Sequence, residues 1–80
     1  MTKQEKSKAL QMDTIAYYSG FGGIEIKAIE YGINDYVVFI ANSFIPNTRT
    51  AHRTKIYYNT SRPYFNYHTL QIHLDECMRV

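Results

Sequence analysis

The sequence predicts an α+β fold in which one N-terminal helix precedes a four- or five-stranded antiparallel sheet in meander order. Composition is the first observation: Ile, Tyr, Thr, Phe and Val make up 31 of the 80 residues, whereas Leu and Ala make up eight. β-branched and aromatic residues fit a pleated, half-buried surface, and Leu and Ala favour helices. The second observation is hydrophobic periodicity, which is two in most segments after residue 23 and helical near the N-terminus. A chain of this length is expected to form a single domain, residues 1–80, with one modest core.

The helix is predicted from about residue 3 to about residue 12. Thr2 followed by Glu5 matches a capping box, in which two backbone N–H groups at the start of a helix find side-chain acceptors. Apolar residues then recur at spacings of three and four as far as Ala16. Residues 13–18 fit a continuation of this helix or a separate strand, and the sequence leaves both open.

Period-two segments and turn residues divide the remainder of the chain into strands. In the first strand Ile24, Ile26 and Ala28 are expected to face inward, and the second is apolar on both faces, which is typical of a central strand. A curled sheet packed on the helix, or a small partly open barrel, would bury the inner faces. Turns or loops are expected at residues 20–23, 42–50 and 59–63, and residues 75–79 read as a helical turn or a frayed end. The predicted strands are residues 24–28, 36–41, 52–58, 64–67 and 70–74.

The charge of the chain is unevenly distributed. The formal net charge is +2, but residues 36–74 carry four cations, all three His and no Asp or Glu. An acid-free segment of this length would present positive potential wherever it is exposed. The alternative is that a β-rich half lacks acids by chance. The four cations are Arg49, Arg53, Lys55 and Arg62.

The candidate binding residues combine these cations with aromatic rings. Arg53, Lys55 and Tyr57 alternate along one predicted strand and therefore share one face. Cations interleaved with rings suit single-stranded nucleic acid, because phosphates need charge and bases need a flat surface to stack on. Tyr and Arg are equally the residues that anchor protein interfaces. Packing within the sheet is the third interpretation. The full predicted set is Arg49, Arg53, Lys55, Tyr57, Arg62, Tyr64 and Tyr67.

Catalytic and metal-binding patterns are weak. His52, His68, His73 and Cys77 are conceivable metal ligands, but structural zinc sites show closely paired ligands that this chain lacks. Cys77 has His73 and Asp75 nearby in sequence, yet a nucleophile needs a positioned base inside a pocket. We therefore expect no enzyme activity, no metal and no cofactor.

Compartment and partner follow from what the sequence lacks. No apolar run approaches the roughly 18 residues of a membrane helix, and the N-terminus has no apolar leader. One Cys gives no internal disulfide, so a cytoplasmic protein without membrane contact is expected.

The function predicted is non-catalytic binding to a protein partner, as an inhibitor or adaptor of a larger enzyme. Size and composition are similar to those of accessory proteins carried by phages and mobile elements, among them inhibitors of CRISPR and restriction enzymes. Direct binding of single-stranded DNA or RNA is the alternative. A homodimer also remains open, because an uncovered edge strand pairs readily with its twin.

Overall fold

The computed structural model describes residues 1–20, 22–32, 35–42 and 49–80. Phe21 in the predicted glycine turn and Pro46 in the predicted long loop lie outside the described residues. The elements are helix α1 (Lys3–Gln11) and strands β1 (Ala16–Tyr18), β2 (Ile24–Glu30), β3 (Tyr36–Asn42), β4 (Arg49–Tyr57), β5 (Tyr64–Tyr67), β6 (Leu70–His73) and β7 (Met78–Arg79), with a 3₁₀ turn (Leu74–Glu76) between β6 and β7.

All the strands form one antiparallel sheet in the order β6-β5-β4-β3-β2-β1-β7. The predicted α+β class and the N-terminal helix are confirmed. The predicted strand number of four or five is an undercount, since the described residues form a sheet of seven strands. The additional strands β1 and β7 have three and two residues, too few to display a period of two. Because β7 pairs with β1 at the far edge, the meander order ends at β6.

The connection between the two edges forces the sheet to curl. β6 ends at His73 on one edge, and β7 begins at Met78 on the other. Five residue steps reach at most about 17 Å. Six inter-strand steps of about 4.8 Å would place the edges of a flat sheet roughly 29 Å apart. The sheet is accordingly curled into a half-barrel, with a concave inner face and a convex outer face.

The inner face holds the main hydrophobic core. Phe39 of the central strand β3 packs against Phe65 of β5, with ring centroids 5.0 Å apart. Central strand β3 is buried on both faces, as its sequence predicts. Tyr18, Tyr58 and Tyr67 pack around this core. Its buried members are Ala16, Ile24, Ile26, Val37, Phe39, Ala41, Ile56, Phe65 and Ile72.

Helix α1 packs on the outer face and forms a second, smaller core. Ala9 is its buried residue, and it contacts Val38, Ile40 and Ala51 of β3 and β4. The capping box at Thr2 and Glu5 is present, as the sequence predicts. None of the helices in the described ranges is long and apolar enough to cross a membrane.

A β-bulge reverses the alternation in β2. The pairing with β3 shifts register between Ile26 and Ala28, which places one extra residue in β2. Ile29 therefore joins the inner core, and Ala28 packs on the helix side. The prediction that Ala28 faces inward is wrong, because strict alternation does not anticipate a bulge.

The bulge buries Lys27 at the end of the helix. The Lys27 side chain is 5% exposed. Its Nζ donates to the Met12 carbonyl oxygen at 2.9 Å and to Thr14 Oγ1 at 2.8 Å, and it lies 3.5 Å from Glu25 Oε1. A buried ammonium group is tolerated only when such partners replace water. Lys27 thus ties the carboxyl end of α1 to the sheet and fixes where the helix lies.

Replacing Lys27 with Met should lower the free energy of unfolding by about 1–3 kcal/mol, because the Met12 carbonyl loses its donor and Glu25 loses a cation. Lys3→Met, on the exposed start of the helix, is the control and should change stability by no more than about 0.5 kcal/mol. Urea unfolding followed by circular dichroism measures both. Equal midpoints for the two variants would contradict this role of Lys27.

Stability should also fall as the pH drops below about 6.5, the ordinary pKa of histidine. The His52 ring stacks on Phe39 at 5.2 Å and lies 5.1 Å from Tyr67. Burial, followed by the charges of His68 and Lys6, lowers the pKa of His52. The unfolded chain therefore takes up a proton first as the pH falls, which favours unfolding.

Urea midpoints between pH 7.5 and pH 5.5 test this, with His52→Gln as the comparison. The decline should be smaller in the variant. Glu25 and Asp75 do not explain a decline in this window, because their pKa values are lowered from ordinary values that are already below it. An identical decline in both proteins would show that His52 is not responsible.

Candidate binding face

Strand β4 presents the predicted cations and tyrosine on the outer face. Arg53, Lys55 and Tyr57 are exposed, whereas His52 and Ile56 point into the half-barrel. The residues opposite them on β3 and β5 extend this surface. We call it the outer aromatic face, and it comprises Tyr36, Arg53, Lys55, Tyr57, Tyr64 and His73.

A row of rings crosses three neighbouring strands of this face. Tyr57 of β4 is the cross-strand partner of Tyr64 of β5, which is the partner of His73 of β6. The tyrosine rings stack with centroids 5.1 Å apart and an interplanar angle of 20°. His73 meets Tyr64 edge-on at 5.8 Å. The sheet backbone holds these rings in place, so little side-chain freedom remains to be lost on binding.

Two cations lie over rings at the β3–β4 end of the face. The Arg53 guanidinium is 4.9 Å from the Tyr36 ring centroid, and Lys55 Nζ is 5.4 Å from the Tyr57 centroid. These distances are within the range of cation–π attraction. The Tyr36 hydroxyl donates to the Glu30 carboxylate, and this hydrogen bond raises the pKa of Tyr36.

The fold brings acids from both ends of the chain to the acid-free segment. Three of its four cations form ion pairs within the described ranges, whereas none is found there for Lys55. The local positive charge is therefore smaller than the sequence count of four cations suggests. The pairs are Arg49 with Glu25 at 2.7 Å, Arg53 with Glu5 at 3.9 Å, and Arg62 with Asp75 at 2.9 Å and Glu76 at 3.0 Å.

Arg62 is held by its acids next to the outer aromatic face rather than within it, and its carbonyl oxygen lies 3.3 Å from His73 Nδ1. Its Nε and Nη2 donate to the two carboxylate oxygens of Asp75, both at 2.9 Å. These hydrogen bonds raise the pKa of Arg62 and lower the pKa of Asp75. Bidentate pairs of this kind are the stronger class of ion pair, although exposure to water weakens this one.

Two further predicted residues also lie apart from the face. Arg49, at the start of β4, donates to Glu25 and to Asn42 Oδ1. Tyr67 lies on the inner side, edge-on to Phe39 at 5.5 Å. Because Tyr64 and Tyr67 are an odd number of residues apart in one strand, their side chains point to opposite faces.

Tyr36 and His73 belong to the face, although neither is among the binding residues predicted from the sequence. Each is the cross-strand partner of a selected residue, Lys55 and Tyr64 respectively. Only the strand register, that is, which residues lie opposite each other on neighbouring strands, could have identified these two residues. Register depends on turn lengths as well as on alternation. Alternation along β3 puts Tyr36 on the same face as Val38, but it does not predict which residue of the neighbouring strand lies opposite Tyr36.

A shallow polar groove of about 370 Å³ adjoins the row of rings. Lys55, Tyr57 and Tyr64 line it together with Asp35 and Thr60. It offers an ammonium group, a carboxylate, aromatic surface and hydroxyl groups to a ligand. It is an open recess in the surface of the sheet.

The histidines and the cysteine lie in different places. His52 and His68 flank Tyr67 on the inner side, His73 is on the outer face, and Cys77 packs against the inner core. Within the described ranges, no group of three or more His, Cys, Asp or Glu side chains could hold a metal ion. Burial, followed by the nearby acids, raises the pKa of the Cys77 thiol to about 11, so the thiol is protonated at neutral pH.

Comparison with protein-family models, curated proteins and solved structures finds no match for this chain. No relative therefore suggests a function. The features from which one can be inferred are the exposed rings of the outer aromatic face and Lys55, for which the described residues provide no ion pair.

Proposed function

We propose that this protein is a non-catalytic binding protein that attaches to a protein partner through the outer aromatic face. The observation that carries the proposal is the stacked Tyr57–Tyr64 pair with Lys55 beside it. α1 packs beside Val38, Ile40 and Ala51, and Tyr57 is still 39% exposed. Rigid aromatic rings next to a cation are the side chains that contribute most to protein interfaces.

A protein partner fits this face better than nucleic acid does. Glu5 lies against Arg53, and Asp75 and Glu76 lie against Arg62, so phosphates approaching these cations would also meet carboxylates. Affinity for nucleic acid depends on cations that neutralise phosphates. Tyrosine anchors do not need this excess charge. We infer that the partner presents acidic side chains to Lys55, and that the protein acts as an inhibitor or adaptor of a larger enzyme.

Single-stranded DNA or RNA is the second candidate. The observation in its favour is the row of rings across β4, β5 and β6, because successive bases stack on such rings. The two candidates differ in salt dependence, which is steep for phosphate contacts and shallow for tyrosine anchors.

Site-specific photo-crosslinking tests the proposal. A benzophenone amino acid replaces Tyr57 in one variant and Tyr17 in another, in cells that naturally contain the protein. Tyr17 is a matched control, because it is 40% exposed, is also a strand tyrosine and lies on distant β1. The Tyr57 variant should give one discrete protein adduct that the Tyr17 variant lacks. Adducts of equal yield from both positions would contradict the proposal.

The adduct partner, once purified, should bind the unmodified protein with an affinity that Lys55→Glu with Tyr57→Ala reduces at least tenfold. Tyr17→Ala should leave the affinity unchanged. Fluorescence anisotropy with labelled single-stranded DNA and RNA, at low and at physiological salt, tests the second candidate. Micromolar binding that falls steeply with salt and is lost in the double variant would establish nucleic acid as the ligand instead.

A further inference from the structure

We infer that the recognised part of the partner is an extended segment carrying an apolar residue and an acidic residue two positions apart. This inference rests on the proposed function and specifies which side chains of the partner the outer aromatic face recognises. It follows from a second recess beside the outer aromatic face, from the cations around that recess, and from the spacing along β4.

The second recess is an apolar groove of about 210 Å³ between α1 and the sheet. Ala9, Met12, Ala28 and Val38 line its sides, and Met1 flanks it. The groove exists because Ala9 is the buried residue of α1, and its methyl group cannot fill the space over the bulged β2. A cavity of about 150 Å³ accommodates a benzene ring. The groove therefore has room for one Leu, Met or Phe side chain.

The rim of the apolar groove selects against a basic ligand. Lys8 and Arg53 lie at the rim together with Glu5, so the cations outnumber the acids there. Lys55, which has no ion pair within the described ranges, lies two residues after Arg53 in β4 and on the same face. When a partner segment places an apolar side chain in the apolar groove, a carboxylate close to that residue in the same segment is therefore able to pair with Lys55. Across the two recesses three cations, Lys8, Arg53 and Lys55, stand against two acids, Glu5 and Asp35, so an acidic partner is favoured over a basic one.

The spacing along β4 sets the spacing in the ligand. Arg53 borders the apolar groove and Lys55 borders the polar groove, and these residues are two apart in one strand. Alternate residues of a strand are about 7 Å apart, and the same holds for any extended peptide. The spacing of the two residues that border the recesses therefore matches positions i and i+2 of an extended segment. Tyr57 and Tyr64 then flank the acidic residue.

The probe is the pentapeptide acetyl-Thr-Leu-Thr-Glu-Thr-amide, titrated into isotope-labelled full-length protein and followed by amide chemical shifts. We expect a dissociation constant of about 1 mM or tighter. The shifts should be largest around the two recesses, near Ala28 and Val38 and near Lys55 and Tyr57. Replacing the leucine of the peptide with serine should weaken binding about tenfold, since burial of a leucine side chain contributes about that much. Replacing its glutamate with lysine should abolish binding.

Two variants of the protein separate the recesses. Ala28→Phe fills the apolar groove and should remove the preference for leucine over serine. Lys55→Glu should remove the preference for glutamate, whereas Lys3→Glu makes the same charge change on the helix and should preserve it. Circular dichroism confirms that each variant is folded. Retention of both preferences in Ala28→Phe and Lys55→Glu would contradict the inference.

The outcome is distinguishable from that of the proposed function. If no peptide binds while the Tyr57 adduct and its salt-resistant affinity are observed, the two-residue recognition is wrong and the protein partner stands. If RNA binds at the same amides and the peptides do not, both proposals are overturned. If the leucine and serine peptides bind equally, the apolar groove is not part of the binding site.

Discussion

The short 3₁₀ turn Leu74–Glu76 is the constraint on which the structure depends. It joins β6 and β7, which lie at opposite edges of the sheet, and so it obliges the strands between them to curl. Curling gives the sheet one concave side where large side chains converge, with Phe39 and Phe65 at its centre. A core of this kind lets an 80-residue chain without an internal disulfide bury enough apolar surface to fold. It also leaves a convex side that must be covered by something other than the sheet.

The helix covers that convex side incompletely, and the candidate function follows from the part left open. α1 has nine residues, and Lys27 fixes its carboxyl end to the sheet, so it packs over β3 and the first half of β4. On the second half of β4 and on β5 and β6, the rings on the outer side, Tyr57, Tyr64 and His73, are exposed or half-buried. The acids that approach this surface come from the helix and from the C-terminal segment. They reduce the electrostatic attraction for phosphate while leaving Lys55 and the tyrosines available, which is why a protein ligand is favoured.

The alternation of apolar and polar residues predicted the longer strands. The other features depend on contacts between residues that are far apart in the sequence. The division of β4 into an inner face with Ile56 and an outer face with Lys55 could be predicted from the sequence, because the alternation of residue types is clear in a strand of nine residues. The two-residue strand β7 could not be predicted, because its pairing with β1 depends on the direction that the chain takes after the 3₁₀ turn. The bulge in β2 stabilises a buried lysine through contacts with residues 13 and 15 positions away, and local sequence does not contain that information. The ion pair between Arg49 and Glu25 joins residues 24 apart, so a count within residues 36–74 overestimated the net charge around that segment.

The most direct measurement is the relative reactivity of Tyr57 and Tyr58 toward tetranitromethane, read by tandem mass spectrometry. These neighbours share their sequence surroundings and differ mainly in the face to which they point. Tyr57 is 39% exposed on the outer face, whereas the Tyr58 hydroxyl is buried beside the inner core. A curled sheet with an open outer face predicts rapid nitration of Tyr57 and protection of Tyr58 in the native protein, with equal rates in urea. Equal rates in the native protein would contradict the division of the tyrosines between a core and a binding face.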